Sequence, residues 1–418
     1  MKNTPIFNFL IFYIIFFTFI ALFYSIGIAQ GYYKDLFMDG GVSLTSRTSL
    51  AAAEYAGLSI EYLATDDSSI QAKVMIENEY DYNGILLYPD GKPRFRVIYT
   101  NGGKATKHGN FLGEKGRNRV KTFYYNSGSY TDSCAGMFIS SISYYSTGTW
   151  GSYYHIWPGR TKTTGLISTS TGHFIPENSP LLQYYDFGGD FYIDSVRHNK
   201  GGYAREDIDF PPETEVLLRY YLPVWNMHEK VSCWAYKKFN NNGRIVIIGS
   251  QPESSISGEC LDLMTAILLY AIDGQGDINI NGTLYNGQKC IMDKSTIEND
   301  PAYTKIGDKQ YHHFKIEIPE GVSKLSAVLD GEDRYHLNLY LKKEDFAFRS
   351  GTDYADTTDG ADKTISVSEL SSGTWFIGVE CATTIGTINR DWGYEYTGNL
   401  DVLNGVSYSI TASWDIIE

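Results

Sequence analysis

The hydrophobic pattern changes its period partway along the chain, and this change limits the folds that are open to it. Residues 32–275 alternate short apolar runs with helical patterns, the clearest helix being predicted at 257–272. Residues 309–414 carry only short alternating segments separated by Gly, Asp and Asn turns. The first pattern predicts an α/β domain with a mostly parallel sheet, and the second predicts an all-β sandwich.

These patterns divide the chain of 418 residues into two predicted domains. The α/β domain is predicted at 31–276, a linker at 277–300 and the β-sandwich at 301–418. Inside the first domain the sequence predicts helices at 45–57 and 70–77, strands at 58–63, 82–88 and 243–249, a helix end at 120–125, and a β-rich insertion at 156–221.

A targeting segment is predicted at residues 1–30. Lys2 precedes an apolar run from Ile6 to Ile28, and small residues at Gly27 and Ala29 suit signal peptidase cleavage after Ala29. The run is also nearly long enough to span a bilayer, so a retained N-terminal anchor is the alternative. Both interpretations place the rest of the chain outside the cytoplasm, as a secreted or extracytoplasmic protein.

Charge and cysteine content restrict partners and cofactors. The net charge of −14 argues against nucleic acid as a partner, because binding phosphates requires clustered Lys and Arg. The chain has five cysteines, which is an odd number. No two of them have C-x-x-C spacing, so zinc binding and thioredoxin-like chemistry are not indicated. Cys134 is the predicted free thiol, and the other four could pair in three ways. No cofactor is predicted, although the acidic loops at 330–333 and 353–362 could hold structural Ca²⁺ instead of being solvated turns.

Residues 126–141 have the pattern of a nucleophile elbow. Small residues surround Cys134 in Asp132-Ser-Cys-Ala-Gly136, after a Gly/Ser-rich approach and before an apolar helix. A cysteine at the start of a helix is expected to favour the thiolate. The alternative is a buried structural cysteine before an ordinary helix.

A second motif gives the elbow a context. Gly243-Arg-Ile-Val-Ile-Ile-Gly-Ser-Gln-Pro-Glu253 resembles the C-terminal motif of class I glutamine amidotransferase-like domains, which usually read His-Pro-Glu. The most similar subgroup is related to the N-terminal domain of some biotin-protein ligases. Residues 84–91 and 215–220 also match, and the resemblance covers about 37–275. It implies a flavodoxin-like α/β fold.

The resemblance implies a Cys-His-Glu triad, from which this chain departs. Cys134 matches the nucleophile and Glu253 matches the residue that orients the base, but Gln251 occupies the histidine position. A glutamine amide neither gains nor loses a proton near neutral pH. Asp90, in the turn taken to match the family's Pro-Gly-Gly, would add negative charge where an oxyanion needs donors.

Three functions follow from these departures. The first is an impaired amidotransferase-like protein that binds a small-molecule, peptide or cell-surface ligand, with a membrane contact only if the N-terminal segment is retained. The second is an active cysteine amidase or hydrolase with a base recruited from elsewhere, His173, His198 or His228. Each histidine also has a structural interpretation: a loop contact, a solvated residue and a surface residue, respectively. The third is a structural or adhesive surface protein.

The C-terminal part resembles the bacterial pre-peptidase C-terminal domain over about 300–418, through residues 306–314, 373–378 and 403–408. That resemblance implies a non-catalytic β-sandwich of exported proteins. His312 and His313 alternate faces on a predicted strand, so we expect one core and one surface residue and no shared metal.

Overall fold

The first part of the chain forms one mixed β-sheet of 11 strands. The computed structural model describes residues 31–39, 50–62, 77, 80–165, 167–223, 226–295, 301–368, 370–390 and 393–416, and 31–418 form one unit. The predicted targeting segment lies outside the described residues, as do residues 45–49 and 70–76 of the two predicted helices. The described residues 50–57 of the first contain a short helix at Ala51–Tyr55, which confirms part of that prediction. The strands of this sheet are β1 Lys34–Asp39, β2 Ile60–Tyr62, β3 Phe95–Thr100, β4 Ser129–Ser133, β5 Thr161–Thr163, β6 Ser168–Phe174, β7 Tyr192–Asn199, β8 Gly202–Ala204, β9 Thr214–Tyr221, β10 Val231–Tyr236 and β11 Ile245–Ile248.

The sheet is half parallel, whereas the sequence predicted a mostly parallel one. Its order is β2-β1-β3-β4-β11-β10-β9-β6-β7, with β5 and β8 attached through β10. Strands β2, β1, β3, β4 and β11 are parallel, and β10, β9, β6 and β7 pair antiparallel. The short links from β9 to β10 and from β10 to β11 leave no room for a crossover helix, which parallel pairing requires.

Four α-helices accompany this sheet among the described residues: α1 Ala51–Tyr55, α2 Ala105–Tyr125, α3 Gly136–Ser140 and α4 Glu259–Asp273. Alternate residues of β11 face opposite layers, as the pleat of a strand requires. Ile245 and Ile247 share a core with Phe123 of α2, whereas Val246 and Ile248 share the other core with α4. Helix α4 confirms the helix predicted at 257–272, with its apolar face buried.

The predicted strand at 82–88 is wrong. This segment forms turns, with one isolated bridge between Leu87 and Pro93, although Ile85 to Tyr88 are buried. The neighbouring strand of the sheet is β3, which the apolar pattern did not single out. A short apolar run indicates that its residues are buried, and residues can be buried in a turn as well as in a paired strand.

The second part of the chain contains two further sheets and a hairpin. Its strands are β12 Gly282–Thr283, β13 Lys289–Met292, β14 Tyr311–Ile318, β15 Val322–Gly331, β16 Leu337–Lys343, β17 Tyr354–Asp356, β18 Lys363–Ser368, β19 Gly373–Cys381, β20 Ile385–Arg390, β21 Gly393–Gly398 and β22 Tyr408–Ile416. One sheet has the order β12-β14-β19-β16-β17 and the other β13-β22-β15-β18, while β20 pairs with β21. The predicted linker at 277–300 therefore includes two strands, β12 and β13, that join these sheets.

A buried ion cluster connects the two parts of the chain. The Arg94 Nη2 atom donates to both carboxylate oxygens of Asp308 at 2.8 and 2.9 Å, and Asp81 lies 3.5 Å from the same guanidinium. All three side chains are at least 98% buried. Gly307 packs so closely that an added Cβ would lie 2.7 Å from the Cδ atom of Pro89. The contact between the two parts is thus a fixed interface.

All five cysteines are free thiols, so the four outside the elbow do not pair in any of the three predicted ways. Within the described part of the chain, no helix combines the length and the apolar character that crossing a membrane needs.

Candidate functional site

Cys134 lies in a sharp turn between strand β4 and helix α3. Its φ angle is 53°, in the left-handed region that a residue with a side chain adopts only when the surroundings impose it. The Cys134 amide donates to the Ile248 carbonyl at 3.0 Å, which ties the turn to β11. A Cβ added to Gly136 would lie 2.4 Å from the Cβ of Asp132, so the turn needs glycine there. The local backbone therefore presents the thiol at the end of β4.

A pocket of about 440 Å³ opens over the thiol. Its walls come from the start of α2, the elbow, the loop after β7 and the loop after β11. Phe138, Tyr144 and Tyr153 form an aromatic side, and the polar side includes Asn199 and Gln251. The pocket is large enough for a small organic ligand.

The turn next to the thiol is Asn101-Gly102-Gly103, directly after β3. A Cβ added to Gly102 would lie 3.0 Å from the Cβ of Cys134 and 3.5 Å from its Sγ. This corrects the assignment of Asp90 to the oxyanion turn, because Asp90 lies 3.5 Å from Lys92 and 3.7 Å from His312 instead. The sequence signal for this turn is the Gly102-Gly103 pair, which follows the β-branched and aromatic residues of β3.

The Cys134 thiol is held in its protonated form. Burial, followed by the negative charge of Glu253, raises its pKa to about 11, and the backbone N–H of Ala135 offsets only part of this rise. The Sγ atom donates to the Asn199 carbonyl at 3.3 Å. The expectation of a helix-stabilised thiolate is therefore wrong, since α3 has only five residues and burial dominates.

Gln251 and Glu253 both lie near the thiol, but they form no hydrogen bond with each other. Gln251 lines the pocket, and its Nε2 would lie 3.3 Å from a Cβ on Gly102. The Oε1 atom of Gln251 and the Oε2 atom of Glu253 are buried without a hydrogen-bond partner in the described structure. Burial raises the pKa of Glu253 to about 7, against a hydrogen bond from Ser133 that lowers it.

None of the chain's eight histidines, all of them described, lines this pocket or hydrogen-bonds the Cys134 thiol. His173 lies in β6 between the hydroxyls of Ser232 at 2.7 Å and Ser250 at 3.1 Å, and burial lowers its pKa to about 3. His198 is fully buried in β7 against Thr164 at 2.7 Å, and burial lowers its pKa to about 4.

These positions correct the structural interpretations of two histidines: His173 belongs to a strand rather than a loop, and His198 is buried rather than solvated. His228 is about one-third exposed beside Glu229 at 3.9 Å. The structure brings none of these three histidines into position as a base for Cys134.

The histidine pair of the second part also differs from its prediction, because both side chains are buried. His312 hydrogen-bonds the Tyr408 hydroxyl at 2.8 Å. His313 is covered by Phe346 and Phe348, whose ring centroids lie 4.9 and 4.7 Å away. The alternation between the two faces of β14 holds, but both faces are covered at these two positions.

Sequence reasoning missed a further buried pair behind the Gly102-Gly103 turn. His108 of α2 places its Nε2 atom 2.8 Å from Asp39 Oδ2 at the end of β1, and both residues are buried. Their separation of 69 residues leaves no local signal. The pair joins α2 to the carboxyl end of the sheet.

In the acidic loop at 353–362, carboxylates accept backbone hydrogen bonds, whereas in the loop at 330–333 Asp330 pairs with Lys289 and Glu332 with Arg334. Asp356 accepts from Thr358 and Thr364, and Asp353 accepts from the Lys343 amide. Across the described ranges, no group of three or more His, Cys, Asp or Glu residues is arranged to hold a metal ion. The Ca²⁺ site stays a prediction.

Comparisons with known proteins add little to this geometry. No family model and no curated protein matches the chain. Among solved structures, a glutamine amidotransferase is 14% identical, with 43% of this chain and 80% of that one covered and a TM-score of 0.30. A ThuA-like protein from Bacteroides uniformis is 14% identical over 58% of this chain and 93% of that one, with a TM-score of 0.35.

The pre-peptidase C-terminal domain of a Bacillus anthracis collagenase is 10% identical over 33% of this chain and all of that one, with a TM-score of 0.19. These scores are too low to carry an argument about family or activity.

Proposed function

We propose that this is an exported protein whose flavodoxin-like, amidotransferase-like part binds a small amide or peptide ligand in the Cys134 pocket and does not transfer ammonia. The second part would be a pre-peptidase C-terminal-like sandwich that aids export or surface contact. The observation that carries the proposal is the pocket itself: a cysteine on a strained elbow, with Gln251 where a base is required.

The protonation state of the site supports binding rather than catalysis. With a thiol pKa of about 11, the thiolate fraction at neutral pH is about 10⁻⁴. No imidazole hydrogen-bonds the thiol to take its proton. Loss of a triad base typically lowers kcat by several orders of magnitude. The same pocket retains the walls and the polar groups that orient a ligand.

The test is the rate of Cys134 alkylation by iodoacetamide as a function of pH, in the natural protein and in Gln251→His. Because all five cysteines are free, the modified Cys134 peptide must be quantified by mass spectrometry. We expect slow alkylation at neutral pH, with a rate that rises towards the thiol pKa, and faster neutral alkylation in Gln251→His. Gln251→Asn, which adds no titratable group, should stay slow. Fast neutral alkylation of the natural protein, or Cys134-dependent amide hydrolysis, would refute the proposal.

One observation favours an active cysteine hydrolase as the second candidate. The Glu253 carboxyl has a pKa of about 7 and a buried oxygen without a partner in the described structure, and these are properties of a general base. In that case amide hydrolysis would be lost in both Cys134→Ser and Glu253→Gln. Hydrolysis that survives Glu253→Gln would exclude Glu253 as the base.

A further inference from the structure

The outer edge of strand β7 is docked against the Cys134 site. Strand β7 is the last of the described strands along its sheet, so only one of its edges is paired, with β6. Alternate residues direct their carbonyls to the same edge of a strand. Three such carbonyls accept hydrogen bonds from other elements: Ser195 from the Cys260 thiol at 3.1 Å, Arg197 from the Gln251 amide at 2.7 Å, and Asn199 from the Cys134 thiol at 3.3 Å. The elbow, the loop after β11 and helix α4 thus take the place of a neighbouring strand.

The chain after β7 holds the Asn199 carbonyl in position. A Cβ added to Gly201 would lie 1.9 Å from the Gly249 carbonyl oxygen, so Gly201 lies directly against the end of β11. Lys200 has a φ angle of 60°, in the left-handed region, and its amide donates to the Ile167 carbonyl at 2.8 Å. These contacts fix the peptide that joins residues 199 and 200, and with it the oxygen that faces the thiol.

A backbone carbonyl is the wrong partner for a cysteine that must react. The oxygen accepts a hydrogen bond from the thiol, but it takes no proton near neutral pH. If Cys134 lost its proton, the negative sulfur would face the lone pairs of the same oxygen at 3.3 Å. A hydrogen bond to the neutral form of an acid disfavours its charged form. The Asn199 carbonyl therefore opposes the thiolate, in addition to the burial of the site.

Several charged or titratable groups also face the thiol or the pocket over it: Glu253, Asp132, Arg197, Tyr99, Tyr220, Lys104 and Lys200. After burial, the charges of Glu253 and then Asp132 raise the pKa of the thiol, whereas Arg197 lowers it. Burial raises the pKa of Tyr99 and of Tyr220, so both hydroxyls stay neutral. A test of the Asn199 contact must change all these groups equally or leave them as they are.

We infer that the end of β7 is an inhibitory element, in which the Asn199 carbonyl fixes the proton of Cys134 and its displacement activates the thiol. The inference rests on the proposed function and names a second cause of inactivity besides Gln251. The site is then latent: once the carbonyl moves away, the thiol can release its proton to water and the sulfur becomes nucleophilic. Asn199 acts through its backbone and is a positioning residue.

Two substitutions of Lys200 separate this contact from its surroundings. Proline fixes φ at about −65°, so Lys200→Pro cannot adopt the native 60° and also loses the amide that donates to Ile167. Because Gly201 is packed against Gly249, the rotation falls on the peptide that carries the Asn199 oxygen. Lys200→Gly is the matched reference, because it loses the same ammonium group but glycine adopts positive φ without strain.

The assay is the alkylation of the Cys134 peptide by iodoacetamide as a function of pH, quantified by mass spectrometry on the full-length protein. We expect Lys200→Pro to react about tenfold faster than Lys200→Gly at neutral pH, which is the effect of losing one hydrogen bond of ordinary strength to the thiol. The pH at which the rate levels off should fall by about one unit. A rate raised by the same factor at every pH would show greater exposure alone, and equal rates would show no effect of the carbonyl; either result would overturn the inference.

A measurement on the natural protein covers the case in which Lys200→Pro does not fold. The infrared S–H stretch that disappears in Cys134→Ser should lie at a lower frequency than that of a thiol in an apolar solvent, because the carbonyl weakens the S–H bond. A frequency equal to that of the unbonded thiol would also overturn the inference. Slow alkylation of the natural protein together with equal Lys200 variants would refute the inhibitory element alone, whereas fast neutral alkylation of the natural protein would refute the proposed function.

Discussion

Replacement of Asp308 by asparagine should destabilise the whole described unit, because it leaves the Arg94 charge buried. Asp308→Asn preserves shape but removes the negative charge that two Arg94 hydrogen bonds, at 2.8 and 2.9 Å, now neutralise. Breaking a buried ion pair on one side costs about 3–5 kcal/mol. Asp81, 3.5 Å from the guanidinium, still offsets part of the charge. We therefore expect a loss near the lower limit, about 3 kcal/mol of unfolding free energy.

The assay is urea unfolding followed by circular dichroism, which reports stability through the midpoint and the slope. Asp401→Asn is the matched control, because Asp401 pairs with Arg334 at 3.0 Å but is 66% exposed. An exposed pair contributes at most about 1 kcal/mol. The two parts of the chain should unfold together in the natural protein, since the interface is buried.

Equal destabilisation by Asp308→Asn and Asp401→Asn would refute this reasoning, because burial would then have no effect on the pair. Two separate unfolding transitions in the natural protein would contradict the fixed interface. A single transition that splits in Asp308→Asn alone would locate the coupling of the two parts at Arg94.

One further prediction concerns the buried His173, and another concerns Gly136 in the elbow. Burial lowers the pKa of His173 from 6.5 to about 3, so between these values the unfolded chain binds a proton that the folded chain does not, and the natural protein loses stability as pH falls. His173→Gln should reduce this loss by up to about 1.4 kcal/mol per pH unit, measured by urea unfolding at several pH values; parallel curves for both proteins would contradict it. Gly136→Ala should cost about 1–3 kcal/mol, because its Cβ would lie 2.4 Å from Asp132 and 3.2 Å from the Thr100 carbonyl. Gly151→Ala, with no atom within 4 Å of the added Cβ, is the control in thermal unfolding, and equal stability of the two variants would show that the elbow relaxes freely.

Local patterns in the sequence predicted those features that neighbouring residues decide. The apolar period predicted helix α4 and the predominance of strands in 309–414, because both are properties of neighbouring residues. A 3₁₀ helix at Leu400–Asn404 is the exception that the pattern did not predict. The small residues around Cys134 likewise predicted a turn between a strand and a helix, and the structure has β4 and α3 on either side. Steric limits on a tight turn act within a few residues, so the sequence carries them directly.

Pairing and burial depend on residues far apart in the chain, and local patterns did not predict them. The Gly102-Gly103 turn reaches Cys134 only because β3 and β4 pair, whereas the more conspicuous Pro89-Asp90-Gly91 turn packs towards His312 of the second part. A polar sequence around His198 indicated solvent exposure, but its side chain is buried while the neighbouring Arg197 of β7 is exposed.

The sequence by itself determined that Cys134 lies on an elbow and that Gln251 stands where a base would be expected. Only the tertiary structure decided the protonation state of the thiol, because burial and the nearby Glu253 charge together raise its pKa to about 11. It also decided that no histidine replaces Gln251, and that Lys104 and Lys200 meet at one pocket from α2 and the loop after β7. Charges and desolvation act through space rather than along the chain. Lys104 and Lys200, which are 96 positions apart, therefore line one pocket only after the sheet is assembled.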